Sequence, residues 1–135
     1  RSYFYICTMK SIKLRRRVIV CGAIIILLYC YFTPKYFINP NDISVHHIEF
    51  SGETIHTFDE AKVKIILSKI QGQRTFRNID PYIGIIEINC LYKNKPLHIV
   101  LGNTNFCYQS ASDIQHIVIL NGPEIMQEIM ETLIK

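Results

Sequence analysis

The sequence predicts an α+β protein: an N-terminal single transmembrane helix followed by a small antiparallel-sheet domain with element order ββαββββα. Three observations carry this expectation. Residues 1–35 hold seven of the fifteen basic side chains and none of the eleven acids. An uncharged run, VIVCGAIIILLYCYF, fills 18–32 directly after Arg15, Arg16 and Arg17. From residue 43 onward, short apolar stretches alternate with turn-formers, and two stretches among them have helical spacing.

Composition narrows the class further. A chain of 135 residues and 15.8 kDa has room for one modest domain. With 49% hydrophobic and 19% charged residues and a mean hydropathy of +0.16, it is too apolar for a disordered tail. Residues 36–135 carry eight basic groups against eleven acids, a net of −3, so a nucleic-acid partner is not expected. Richness in isoleucine and the absence of tryptophan fit an AT-rich microbial genome and point to a bacterial protein.

Residues 1–17 read as a basic cytoplasmic leader, within which Met9 looks like the natural start and 1–8 like upstream translation or a fragment edge. Residues 18–35 read as an uncleaved signal anchor. Fifteen residues at ~1.5 Å rise give roughly 22 Å, and the span from Arg17 to Lys35 gives roughly 27 Å with both cations snorkelling outward. Tyr29, Tyr31, Phe32, Tyr36 and Phe37 collect at the far end, where aromatic rings favour the membrane interface, and Pro34 ends the helix. The positive-inside bias leaves the amino terminus in the cytosol and the rest of the chain outside the cytoplasmic membrane. A cleaved signal peptide would need small residues at its exit, and a lipoprotein modified at Cys30 would need a small residue where Tyr29 stands. A buried core helix is the plain structural alternative for so short an apolar run.

A stalk over 36–42 leads to the outer domain, 43–135. The alternation in 43–50 slips parity between Val45 and Ile48, which a bulge at His46-His47 repairs. Ser51-Gly52 makes a hairpin into 53–56, and Thr57-Phe58-Asp59-Glu60 matches a capping box opening a helix over 58–71. A polar loop, 73–81, precedes four apolar stretches, 82–92, 97–101, 106–109 and 115–120, whose short connections imply an antiparallel meander. A turn centred on Asn94-Lys95 pairs Cys90 with Ile99, and a four-residue loop over 102–105 pairs Leu101 with Phe106 and Val100 with Cys107. The core face then holds Ile86, Ile88, Cys90, Tyr92, Leu97, Ile99, Leu101, Phe106 and Tyr108. The opposite, mixed face holds Ile85, Glu87, Asn89, Leu91, His98, Val100, Cys107 and Gln109. Asn121-Gly122-Pro123-Glu124 opens a last helix with Met126, Ile129, Met130 and Leu133 inward. A helix gripped by an antiparallel meander over 43–120 resembles, in layout, the cystatin-like and similar small extracytoplasmic binding folds. A layout implies a fold and licenses no activity.

Chemistry-bearing patterns are sparse. His46 and His47 are adjacent and point apart in a regular strand, and no metal-ligand spacing, phosphate loop or nucleophile elbow is present, so neither a metal nor another cofactor is expected. Cys107 and His98 are the one catalytic pairing, placed diagonally on the mixed face by this register, and they define the alternative of a small anchored cysteine-dependent hydrolase. Cys90 and Cys107 fall on opposite faces and are expected as free thiols. The leading expectation is a non-enzymatic, membrane-anchored binding or accessory module with a protein partner, a design compatible with an inhibitor or immunity role. Its expected contact residues are Leu91, His98 and Val100 on the mixed face and Arg74, Phe76 and Arg77 in the loop, where two cations flank an aromatic ring.

Overall fold

The computed structural model describes residues 2–75, 84–109 and 117–134. The chain divides into two compact units, Arg1–Thr33 and Pro34–Lys135.

The first unit is one helix, α1 (Ser2–Phe32), which runs unbroken through the basic leader as well as the apolar run. It ends just before Pro34, where the Thr33 hydroxyl donates to the Tyr29 carbonyl. Among the described residues no helix is long and apolar enough to cross a membrane. The reason lies in the charges: the uncharged part of α1 is only the fifteen residues 18–32, and any longer window reaches back into Arg15, Arg16 and Arg17. Of the membrane-crossing helix expected over 18–35, residues 18–32 are helical, Lys35 belongs to a strand, and the apolar part is shorter than a spanning segment requires.

The second unit is an open antiparallel sheet with two helices on one face. After β1 (Lys35–Tyr36) and a 3₁₀ turn at Pro40–Asp42 come β2 (Ile43–Phe50), β3 (Glu53–Ile55), α2 (Glu60–Ser68), β4 (Gln71–Arg74) and β5 (Ile86–Tyr92). β6 (Lys95–Leu101), β7 (Phe106–Gln109), β8 (Ile117–Ile119) and α3 (Gly122–Leu133) complete it. The eight described strands lie in the order β1-β4-β8-β7-β6-β5-β2-β3, every pair antiparallel. α2 lies against β2, α3 against β6, and the helices touch each other. Between these layers, Ile48, Ile88 and Ile99 face one another across three strands, fully buried, under Val63 and Leu67 of α2 and Ile125 and Ile129 of α3.

Several expectations hold in detail. β2 is bulged between Val45 and His47, which brings Ile43, Val45 and Ile48 to the core face. Ser51 and Gly52 both take positive φ, as a two-residue hairpin turn requires, and β3 pairs back on β2. The four-strand meander is present as β5 to β8, with 82, 83, 115 and 116 outside the described residues.

Other boundaries differ. α2 begins at Glu60, not at 58, because Asp59 rather than Thr57 caps it, accepting from the Lys62 amide at 3.3 Å. Glu60 reaches across to accept the Val45 amide at 3.1 Å beside the bulge, which holds its carboxyl below the ordinary range, helped by Lys64. The helix stops at Ser68, and Gln71–Arg74, partly expected as helix and loop, is a strand. Asn121 does not cap α3; its side chain accepts from the Gln71 amide at 2.8 Å and donates to the Lys69 carbonyl at 2.9 Å, fixing the step from α2 into β4. The stretch 36–42, expected as a stalk, belongs to the fold: Tyr36 pairs with Gln71 and Ile38 is buried.

Gly72 is where β4 can come this close to its cover. A Cβ there would stand 2.5 Å from the Ile117 methyl and 2.7 Å from the Phe37 ring. Gly72→Ala is accordingly expected to cost about 1–3 kcal/mol of unfolding free energy, as overpacked sites do, read as a lowered urea midpoint with an unchanged slope.

The strand registers also differ, with consequences for the site. Lys93 and Asn94 form the β5–β6 turn, both at positive φ, so Cys90 faces Leu97 rather than Ile99. That two-residue shift preserves the faces. The next one does not: Ile99 faces Cys107 and Val100 faces Phe106, one residue away from the expected register. A one-residue slip turns a strand over. Cys107 thereby joins the core, and Phe106 and Tyr108 move to the opposite face, a reversal of their expected positions.

Candidate functional site

The face of the sheet turned away from the helices carries a row of polar side chains set by strand register. His47, Asn89, His98 and Tyr108 stand directly opposite one another on β2, β5, β6 and β7. The bulge makes this possible, because it returns His47 to the outer face while Ile48 goes inward.

Three of the four are joined through the amide of Asn89, and Tyr108 packs on the His98 ring. His98 donates its Nδ1–H to the Asn89 Oδ1, and Asn89 Nδ2 lies 2.9 Å from His47 Nε2. Both contacts are satisfied when the amide donates to a neutral His47 whose proton sits on Nδ1. Two carboxylates flank the row: Glu49 Oε1 is 3.5 Å from His47 Nε2 and Glu87 Oε2 is 3.4 Å from His98 Nε2. A protonated His98 can therefore donate to Asn89 and Glu87 at once. Tyr108 leans on the His98 ring at 5.2 Å between centroids and stacks on Phe106 at 5.9 Å. Alongside lies a groove of about 620 Å³ whose walls include Asn89, Leu91, Pro96, His98 and Tyr108. All four side chains of the row are half-buried, so they are fixed by their neighbours yet reachable from solvent.

The sequence-derived residues separate on this frame. Leu91 and His98 lie in the groove. Val100 shares their face but is fully buried, with Gly84 so close that a Cβ there would come within 2.5 Å of a Val100 methyl, so it offers nothing to a partner. Arg74 is on β4, over the Phe37 ring at 5.9 Å, while Phe76 and Arg77 lie outside the described residues. Cys107 and His98 are not brought together, since the register places them on opposite faces of the sheet. Burial pushes the Cys107 thiol up to about 12, which leaves it protonated at neutral pH and unsuited to nucleophilic attack. Cys90 is likewise raised to about 12 by burial, and its thiol donates to the Leu97 carbonyl at 3.3 Å. The two thiols share the core face without a bridge, with β6 between them. Among the described residues no group of three or more His, Cys, Asp or Glu side chains is placed to hold a metal ion.

In the first unit, Arg15, Arg16 and Arg17 are exposed, and so are Tyr29 and Tyr31, the latter edge-on to Phe32 at 5.0 Å. Lys35 and Tyr36 open the second unit as β1, both exposed.

Sequence reasoning did not find His47, Asn89 and Tyr108 as one row. The only usable signal was the parity slip at His46-His47; the rest required the register. Compared with protein-family models, with curated proteins and with solved structures, the chain matches none.

Proposed function

We infer that the chain is a non-enzymatic binding module, held at the cytoplasmic membrane by α1, that receives a protein partner on the outer face of its sheet. The observation that carries this reading is the groove beside the His47–Asn89–His98–Tyr108 row. Its donors and acceptors are ordered by one another before any partner arrives, and Leu91 and Pro96 add an apolar rim. Preordered polar groups beside apolar contacts lower the ordering cost of association.

The bare apolar helix supports the membrane part of the reading. Val18, Ile19, Val20 and the run Ile24 to Leu28 are exposed on every side of α1, and an all-round apolar helix needs a cover. Residues 18–32 give roughly 22 Å at ~1.5 Å per residue, with Arg17 snorkelling outward, so a bilayer of ~30 Å would have to thin around them at a cost of fractions of a kcal/mol per Å.

The test uses the full chain in its native cells with a photo-crosslinking side chain at Leu91. The expected result is a discrete protein adduct in the detergent-extractable membrane fraction, reduced about tenfold by Asn89→Leu, the cost of stranding polar groups in an interface. A crosslinker at Lys62, on the helix side, should give no such adduct. Equal adducts from both positions, none from Leu91, or a chain recovered wholly outside the membrane fraction would each overturn the reading.

A further inference from the structure

The outer-face row sets two imidazoles on either side of one amide, and that geometry limits how many protons the row can carry. A side-chain amide offers donors on its nitrogen and an acceptor on its oxygen. Asn89 turns one toward His47 and the other toward His98. As the side chain stands, its oxygen accepts from His98 and its nitrogen needs a bare ring nitrogen on His47. With the amide turned over, the requirements exchange. In either orientation one ring is able to be an imidazolium and the other is held neutral. Two imidazoliums carry a hydrogen on every ring nitrogen, so one of them meets the amide's own donors and the bridge breaks.

A second arrangement lies one step along the strands. Glu49 and Glu87 stand directly opposite each other on β2 and β5, where like charges repel. Glu49 Oε1 is 3.5 Å from His47 Nε2 and Glu87 Oε2 is 3.4 Å from His98 Nε2, so each imidazolium released from the amide has a carboxylate to donate to. Protonating both rings replaces the Asn89 bridge by two ion pairs and relieves the facing carboxylates. The other titratable groups near the row, among the described residues, are His46 in the groove wall, His56 with its ring 6.3 Å from that of His47, and Tyr108 on His98. His46 and His56 are exposed, so solvent screens their charge. β3 presents Thr54 to Glu49, β6 presents Val100 to Glu87, and the row beyond, Ser44, Leu91 and Pro96, is uncharged.

We propose that this row is a proton-operated release switch, closed through Asn89 while its two imidazoles carry at most one added proton between them, and open once each carries its own. Histidine is the side chain that changes charge between about pH 5 and pH 8, so acidification drives the change. The open row has lost the ordered amide in the groove wall, and a bound protein partner leaves. Release rests on the binding reading above; the opening of the bridge does not, and it is testable without a partner.

Nitrogen-15 NMR of the full chain in detergent micelles reads the bridge. Ring-nitrogen shifts report the tautomer and charge of His47 and His98, and the Asn89 side-chain amide reports its exchange with water, referenced to the exposed Asn94. The second imidazolium is expected to appear at the pH where Asn89 exchange rises about tenfold relative to Asn94, the scale of one lost hydrogen bond. Glu49→Gln with Glu87→Gln removes the facing charges, and its Asn89 amide should stay protected at about pH 5. Two imidazoliums beside a protected Asn89 amide, or an amide that opens as fully in the double variant, would overturn the switch. In cells, the Leu91 crosslink reads release. Its adduct should be about tenfold weaker at about pH 5 than at about pH 7.5, and the ratio should approach one in Asn89→Asp, whose carboxylate accepts from both rings. An adduct of native chain unchanged between the two conditions would overturn release. No adduct in either condition would instead sink the binding reading, with the amide signal still deciding the bridge.

Discussion

Truncating Ile88 to alanine is expected to remove about 3–5 kcal/mol from the unfolding free energy, a large share of the 5–15 kcal/mol typical of a folded domain. Ile88 is fully buried on β5, an internal strand, with Ile48 of β2 and Ile99 of β6 directly opposite and equally buried. All three belong to the same core cluster as the inward side chains of α2 and α3. The lost transfer energy is one part of the cost. The cavity is the other, and it cannot collapse here, because the hydrogen-bonded ladders on both sides of β5 hold the neighbouring isoleucines at fixed spacing. Leu91 on the same strand is the control: it faces outward and is half-buried, and Leu91→Ala should cost under about 1 kcal/mol. Urea unfolding of the full chain reads both as shifts in midpoint at constant slope. Similar losses from the two variants would mean that the sheet is not packed on one face as described.

The contrast between these two positions marks what was legible in the sequence. Period-2 alternation told Ile86, Ile88 and Cys90 from Glu87 and Asn89, and the parity slip located the bulge at His46-His47. Helical spacing found α2 and α3. What could not be read were features set by pairing rather than by local pattern. Lys-Tyr and Gln-Gly-Gln-Arg have no apolar alternation; they are strands because β1 pairs with β4 and β4 with β8, and because Gly72 admits Phe37. The β5–β6 turn puts a lysine at positive φ, which turn preferences discourage, so Asn94-Lys95 read better than Lys93-Asn94. The β6–β7 connection turns on one side chain, the Asn105 Oδ1 that accepts from the Gly102 amide at 3.0 Å, while its carbonyl accepts from Ile119 at 2.8 Å. One residue of register there exchanged Cys107 for Phe106 and Tyr108. The outer-face row depends on that register, so Leu91 and His98 were legible as surface residues while their partnership with Asn89 and Tyr108 was not.

The same register makes the fold sensitive to alkali. Cys90 and Cys107 are raised by burial from 9.0 to about 12, with the nearby Cys90 adding to the shift at Cys107. Each thiol keeps its proton in the native state at a pH where the unfolded chain has lost it. The unfolded state then binds fewer protons than the native one, and stability falls as pH rises. The contribution is whole below about pH 9 and is lost progressively toward pH 12. From pH 9 to pH 11 each thiol gives up about 2 kcal/mol, and the pair roughly 4 kcal/mol, at 1.36 kcal/mol per pH unit. Tyrosines and lysines also titrate in this range, so the comparison is with Cys90→Ala/Cys107→Ala, which shares them. Urea unfolding under reducing conditions at pH 8, 9, 10 and 11 should show the native chain falling more steeply than the double variant, by roughly 4 kcal/mol at the alkaline end. Alanine at both positions costs something at pH 8, so the curves should converge or cross as pH rises. A divergence of only about 2 kcal/mol would mean that one thiol meets solvent, and parallel curves that both do; exposure of Cys107 would reopen the β6–β7 register.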